Sequence, residues 1–339
     1  MSELSTRPTI IPGKPVRWFP LRPHQLIDDI TPVSQVFILA PLGVPAVDRD
    51  AWRLEIVGLI EHTATLSFDD ILAFPRQELR AFHECAGNPQ KPTLATRRIN
   101  NVVWGGVPLA QVFSRYGIKI RQQASFLWAG GLDNGVYGDA PVDSYVKDLP
   151  LDEALTHAFL AYELNGAPLL PEHGYPLRLV MPGYYGTNSV KWLRRLEVAG
   201  TRADSLFTTK LYNDPVPPDD PLFAQGGRPV WRVAPESVIV SPAPGETVAG
   251  TIDIWGWAWA HAGIRDVEVS VDGGASWQTA VVDKPTERSW QKFRYSWRPE
   301  KAGPVVLMSR AIDQAGDTQP RNGARNCIYT VDVIVSVET

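Results

Sequence analysis

The stretch YNDPVPPDDP, residues 212–221, decides how this chain divides. Its prolines can neither extend a helix nor donate to a central sheet ladder, and its aspartates resist burial, so it reads as a linker between two folding units. Upstream the patterns are mixed. Residues 52–58 (WRLEIVG) alternate as a strand does, and 67–74 (SFDDILAF) read as a short helix with Ser67 as N-cap and Asp69 and Asp70 in the first turn. A second helical period over 107–117 closes on Gly117, and strands are predicted at 125–130, 159–166, 177–183 and 190–198. Downstream, short alternating runs such as TIDIWGWAW and RDVEVSVDGG are separated by Gly, Pro and Asp, and Asp272-Gly273 marks a hairpin. The expectation is an α+β unit followed by an immunoglobulin-like β-sandwich, with divisions at 1–35 (a proline-rich N-terminal extension), 36–214 and 222–339.

Composition narrows the function classes. A chain of 339 residues with 44% hydrophobic and 21% charged content can bury two cores of ordinary soluble type. A net charge of -4, with both signs dispersed, supplies no patch for nucleic acid or an anionic membrane surface. No apolar run approaches the roughly 20 residues of a membrane helix. The opening residues lack the pattern of a signal peptide, so a cytoplasmic protein is expected, or a periplasmic one if a leader has been removed. Cys85 and Cys327 are expected as free thiols, since one possible bridge is not a disulfide framework.

Several chemistries are missing their minimum hardware. The sequence has no P-loop, no GxGxxG opening a helix after a strand, no HExxH, no GxSxG, and neither CxxC nor CxxCH. What remains is Cys85 in HECAGNPQKP. There a small-residue turn would bring backbone amides beside the sulfur, lower its pKa and favour thiolate ligation of a soft metal, although a lone cysteine is more often a buried structural thiol. A second cluster, 173–198, sets His173, Arg178, Asn188, Ser189 and Lys191 around Gly-rich turns. Such a set could hold a phosphate-like group or could simply be solvated loop.

The motifs HECAGN, GLD at 131–133, HGYPLR at 173–178, PGYYG at 182–186 and SVKW at 189–192 resemble, in order and approximate spacing, those of sulfite oxidases and related molybdopterin proteins. GETVAGTIDIWGWAW and VEVSVDGGASWQ resemble the molybdenum-cofactor dimerisation domain of that family, so the likeness covers nearly the whole chain. The resemblance implies Cys85 as the molybdenum ligand. It places Phe37, Asp133, His173, Arg178, Ser189, Val190 and Lys191 at pterin-binding positions, and Tyr212 where a tyrosine hydroxyl faces the metal's oxo group. It also implies a molybdenum-molybdopterin cofactor with no haem in this chain, an external electron acceptor (a cytochrome or oxygen) and a homodimer through residues 222–339.

The pattern departs where the family places substrate arginines. Leu39 and Pro41 stand where the resemblance calls for Arg and His, and Gln90 replaces the arginine after the cysteine motif. Arg321 or Arg325 could stand for a third arginine, while Lys91, Arg97, Arg98 and Lys210 are further cations expected at the surface. The function expected is two-electron oxygen-atom transfer on a small substrate less charged than sulfite. The alternatives are a sulfoxide- or N-oxide-type reductase, and a binding or structural protein that has lost the cofactor.

Overall fold

The computed structural model describes residues 6–88, 97–322 and 325–336. The first unit is mostly β, built on two five-stranded sheets. One runs in the order Val146–Pro150, Phe126–Gly131, Leu193–Ala199, Arg53–Gly58 and Ala64–Ser67, with the third and fourth strands parallel. The other comprises Ala167–Pro168, Phe159–Leu164, Ile99–Pro108 and Gln77–Glu84, with Arg178–Val180 also pairing to Phe159–Leu164. Leu54, Ile56, Leu127, Leu160 and Leu196 fill the core they share.

Among the described residues, α-helix is confined to Phe68–Leu72, Leu109–Arg115 and Leu151–His157, so the α+β expectation resolves into a largely β unit with short helices. The first has the expected cap: Asp70 N–H donates to Ser67 Oγ at 3.2 Å, and Ser67 N–H donates back to Asp70 Oδ2 at 2.8 Å. Several elements were not anticipated, Gln77–Glu84, Ile99–Pro108, Val146–Pro150 and Leu151–His157 among them. Gln77–Glu84 shows no alternation because its last four residues, His83 and Glu84 among them, are all buried. Leu151–His157 was hidden behind the strand-like run that follows it. The strand expected at 190–198 begins only at Leu193, because Trp192 adopts a left-handed conformation (φ 49°) and turns the preceding lysine out of the ladder.

The C-terminal unit is two facing sheets, antiparallel apart from Thr247–Val248, which joins Thr330–Val335 in parallel. Glu236–Ser241, Ile252–Trp259, Gln291–Trp297 and Val281–Val282 form one, and Thr330–Val335, Gly303–Asp313, Ile264–Ser270 and Gln278–Thr279 the body of the other. Asp272-Gly273 does lie in a hairpin, but in a seven-residue loop rather than a two-residue turn. The Asp272 carboxylate there accepts from the amides of Ala275 and Ser276, both at 2.9 Å.

Neither proline-rich segment hangs free. Val16–Trp18 pairs with Ile38–Ala40, Leu21 and Leu26 are buried against Trp257 and Trp259, and the Trp257 indole donates to the Leu26 carbonyl at 2.6 Å. In the linker, Asn213–Asp214 pairs with Arg228–Pro229. Among the described residues, no helix is long and apolar enough to cross a membrane.

The two units meet through charges removed from water. Arg97 was expected at the surface. Its side chain is instead 0% exposed, 3.1 Å from Glu236, itself 0% exposed, and its guanidinium lies over the Tyr329 ring. Asn88 Nδ2 donates to Glu84 at 2.6 Å and to Glu236 at 3.3 Å, and the Trp259 indole donates to Glu84 at 2.8 Å. Burial, then the neighbouring Glu236, pushes Glu84 well above the usual carboxylate range. Glu84 therefore keeps its proton, and one guanidinium balances one carboxylate. Glu236→Ala strands Arg97 without its carboxylate, and the variant's denaturant-derived stability is expected to fall by about 3–5 kcal/mol. The double variant Arg97→Met/Glu236→Leu should lose clearly less. Equal losses would show that the pair is not coupled.

Candidate functional site

Cys85 follows directly on the strand Gln77–Glu84, so the sheet fixes the direction in which its thiol leaves the chain. The next residues turn back sharply. Asn88 N–H donates to the Cys85 carbonyl at 3.0 Å, Cys85 N–H donates to the Arg98 carbonyl at 2.9 Å, and Gly87 N–H points at Sγ from 3.4 Å. A Cβ at Gly87 would stand 2.7 Å from Arg98 Nη1, so a side chain there would displace the guanidinium tip. The Arg98 guanidinium is thereby held beside the sulfur while stacking on the Phe19 ring at 4.2 Å. These groups favour thiolate, yet burial outweighs them and the thiol's pKa is raised rather than lowered. The amides beside the sulfur are legible in the local sequence, whereas the desolvation comes from the surrounding fold.

Cys85 opens into a narrow cleft with a cavity volume of about 80 Å³. Phe37, Asp133, His173, Arg178, Ser189, Lys191 and Tyr212 all line it. Val190 does not: its side chain is 1% exposed in the hydrophobic core, and its carbonyl accepts from Leu179 N–H at 2.8 Å. Leu39 and Pro41 line one wall, and the Phe37 ring lies parallel to His83 with centroids 5.6 Å apart.

Polar groups gather at one side. Arg178 donates to the carbonyls of His173 at 3.2 Å and Ser189 at 3.1 Å, and stacks on Trp104. Lys191 donates to the carbonyls of Leu39 at 2.9 Å and Glu172 at 3.0 Å. Both cations thus rest on carbonyl dipoles. Burial lowers Arg178 to about 9. Burial and Arg178 also lower Lys191, with Asp133 and Glu172 offsetting only part. Burial raises Asp133, against the pull of Lys191. Gly131 makes room for that aspartate, since a Cβ there would lie 2.5 Å from its Oδ1. His83 and His173 are neutral, because burial and the same cations depress both. Arg178 Nε and His173 Nε2 are buried with no hydrogen-bond partner. Such atoms are costly unless a ligand meets them.

At the other side stand three hydroxyls, of Tyr212, Tyr145 and Thr187. Tyr145 and Thr187 escaped the sequence reading, as did His83 and Glu172. His83 sits inside a quoted motif and Thr187 between two of them, but Tyr145 comes from a separate segment with no local signal. The remaining cations sort clearly. Arg325 reaches the Ala86 carbonyl and pairs with Asp214 at 2.6 Å, whereas Arg321 bonds Gly273 in the other unit. Lys210 is exposed, as expected. Gln90 and Lys91 lie outside the described residues.

Comparison with known proteins agrees with this geometry. Residues 41–207 match the oxidoreductase molybdopterin binding domain and residues 228–333 the Mo-co oxidoreductase dimerisation domain. Human mitochondrial sulfite oxidase is 31% identical over 327 residues, covering 88% of this chain and 59% of that protein. For chicken sulfite oxidase the values are 31% over 316 residues, 86% and 68%. A nitrate reductase [NADH] of Phaseolus vulgaris is 30% identical, with 86% of this chain and 37% of that protein covered. This chain therefore spans about three-fifths of the length of its mammalian relatives (59%). Among solved structures, the sulfane dehydrogenase SoxCD of Paracoccus pantotrophus superposes with a TM-score of 0.77 at 30% identity, covering 93% of this chain and 85% of the other. This chain belongs to the sulfite-oxidase family of molybdopterin oxidoreductases.

Proposed function

We propose that this protein is a molybdenum-cofactor-dependent oxidoreductase that moves an oxygen atom to or from a small sulfur- or nitrogen-centred substrate. An external carrier, a cytochrome or oxygen in the oxidative direction, takes the two electrons. The carrying observation is one cleft with a thiol at one end and, along its wall, two buried cations beside unpartnered buried nitrogens. Among the described residues no group of three or more His, Cys, Asp or Glu could hold a metal unaided. A metal at Cys85 thus needs ligands from a non-protein group, and a phosphate-bearing dithiolene pterin matches both needs at once.

In this reading the Cys85 sulfur holds the metal. Arg178 and Lys191 receive the anionic end of the cofactor, and Asp133, His173 and Ser189 meet the pterin edge, with Phe37 packed alongside. When bound, the cofactor supplies the two-electron chemistry, in which an oxo substrate, two electrons and two protons are exchanged for the reduced substrate and water. Arg98 offsets the charge of the thiolate. Tyr212 offers a hydroxyl at the reacting end. The wall formed by Leu39 and Pro41 supplies no positive charge, which supports a substrate less charged than sulfite. We read the C-terminal unit as an immunoglobulin-like sandwich that joins two copies into a homodimer, in keeping with the dimerisation-domain match.

Protein produced in a molybdenum-replete host should contain molybdenum and release a fluorescent oxidised pterin. Absence of both would overturn the proposal. Cys85→Ser should abolish turnover with a redox dye while most of the pterin stays bound, and undiminished turnover would remove the thiolate from the mechanism. Arg178→Met combined with Lys191→Met should cut pterin occupancy at least roughly tenfold, the cost of two charge-assisted contacts, with molybdenum falling in parallel.

A further inference from the structure

The cationic side of the cleft also carries a charge of the opposite sign. The turn Pro171–His173 stands between the two buried cations, its Glu172 carbonyl accepting from Lys191 at 3.0 Å and its His173 carbonyl accepting from Arg178 at 3.2 Å. Glu172 lines the cleft there, with its side chain 7% exposed. A carboxylate so placed opposes the anion that Arg178 and Lys191 attract, since charges withdrawn from water are poorly screened.

The counter-ion of Glu172 comes from far along the chain. Arg7 Nη2 lies 2.5 Å from Glu172 Oε1, and among the described residues no other cationic side chain pairs with that carboxylate. The Arg7 guanidinium also lies over the Trp18 ring at 5.8 Å. The arm that brings it is built into the wall of the cleft. Pro12 bridges to Val44, and Gly13 N–H donates to the Val44 carbonyl at 2.9 Å. Ile10 and Val16 pack against the cluster of Ala40, Val44 and Trp192, and Val16–Trp18 pairs with Ile38–Ala40, whose Leu39 carbonyl accepts from Lys191. Gly43 permits this approach, because its φ is 99° and a Cβ there would stand 2.6 Å from the Gly13 carbonyl carbon. The charge of the arm is felt inside the cleft: burial, then Lys191, Arg178 and Arg7, depress His173.

We propose that Arg7 is a cofactor-retaining residue, which neutralises Glu172 so that the wall around Arg178 and Lys191 presents net positive charge to the phosphate-bearing end of the cofactor. The inference rests on the reading of the cleft as the molybdenum-cofactor site. Without Arg7, the Glu172 charge offsets its neighbour Lys191 and leaves Arg178 to hold the anion alone. The N-terminal arm is in this way part of the cofactor site, although the molybdopterin-domain match begins only at residue 41.

The test uses holoenzyme from a molybdenum-replete host, diluted into cofactor-free buffer under mild warming and sampled over time by ultrafiltration. Released pterin is read as its fluorescent oxidised form, and molybdenum is measured in the retained protein. Arg7→Met should lose pterin at least about fivefold faster than the unaltered protein, as one uncompensated charge near a phosphate requires. Arg7→Lys, which keeps the charge, should stay within about twofold. Arg7→Met/Glu172→Gln removes the repelling carboxylate along with its counter-ion, and should likewise return to within about twofold of the unaltered protein. Equal retention in Arg7→Met and the unaltered protein overturns the proposal. So does a double variant that loses pterin as fast as Arg7→Met, because Arg7 then acts through packing of the arm and not through charge. Both results leave the cofactor reading intact, whereas unaltered protein with neither molybdenum nor pterin overturns that reading and this inference together.

Discussion

The buried contact between Arg97 and Glu236 is the constraint on which the rest of the molecule depends. Three ionisable side chains, these two and Glu84, are withdrawn from water at the junction of the two units. That is tolerable only if their charges sum to zero, which a protonated Glu84 allows, with Asn88 and Trp259 hydrogen-bonded to the carboxyls, although Arg97 Nε and Nη1 and Glu236 Oε1 meet through charge alone, without a hydrogen bond. Because Glu84 precedes Cys85 and Asn88 closes its turn, the second unit holds the cysteine loop from behind. The β-sandwich thereby contributes to the position of a sulfur it never touches.

The cleft in front of that loop is assembled from segments that are distant in the chain. Phe37 and Leu39 arrive on an N-terminal stretch pinned by the tryptophans of the second unit, and Lys191 arrives because Trp192 breaks a strand. In each case a local departure from regular structure is what delivers the side chain. The left-handed Tyr212 follows the same logic. Strain at such positions costs on the order of 1–3 kcal/mol each and persists only where the surroundings over-determine it.

Much of the architecture was legible in sequence because it is written in local patterns, as with the Ser67 cap and the alternating strands after the linker. The site residues were legible through motif order, and Cys85, Asp133, His173, Arg178, Lys191 and Tyr212 do converge on one cleft. Burial was not legible. Arg97 reads as a surface cation by residue type, and only the facing Glu236, far along the chain, makes its burial possible. The Cys85 thiol failed in the same way: amides near a sulfur can be inferred from Ala-Gly-Asn, but the apolar enclosure that outweighs them comes from elsewhere. Val190 was assigned by its place in a motif, whereas the alternation of that motif turns its side chain into the core.

The arginines that sequence reasoning sought for the substrate are present, but each is spent. Arg97 balances Glu236, Arg98 lies against the thiol, Arg325 grips the Ala86 carbonyl and Asp214, and Arg321 reaches the Gly273 carbonyl in the other unit. A guanidinium engaged in a desolvated pair cannot also neutralise a guest, because withdrawing it would leave its partner buried and unpaired. The chemistry a family shares is thus set by the groups that hold its cofactor. The charge of the substrate is set by how many cations the scaffold has not already used.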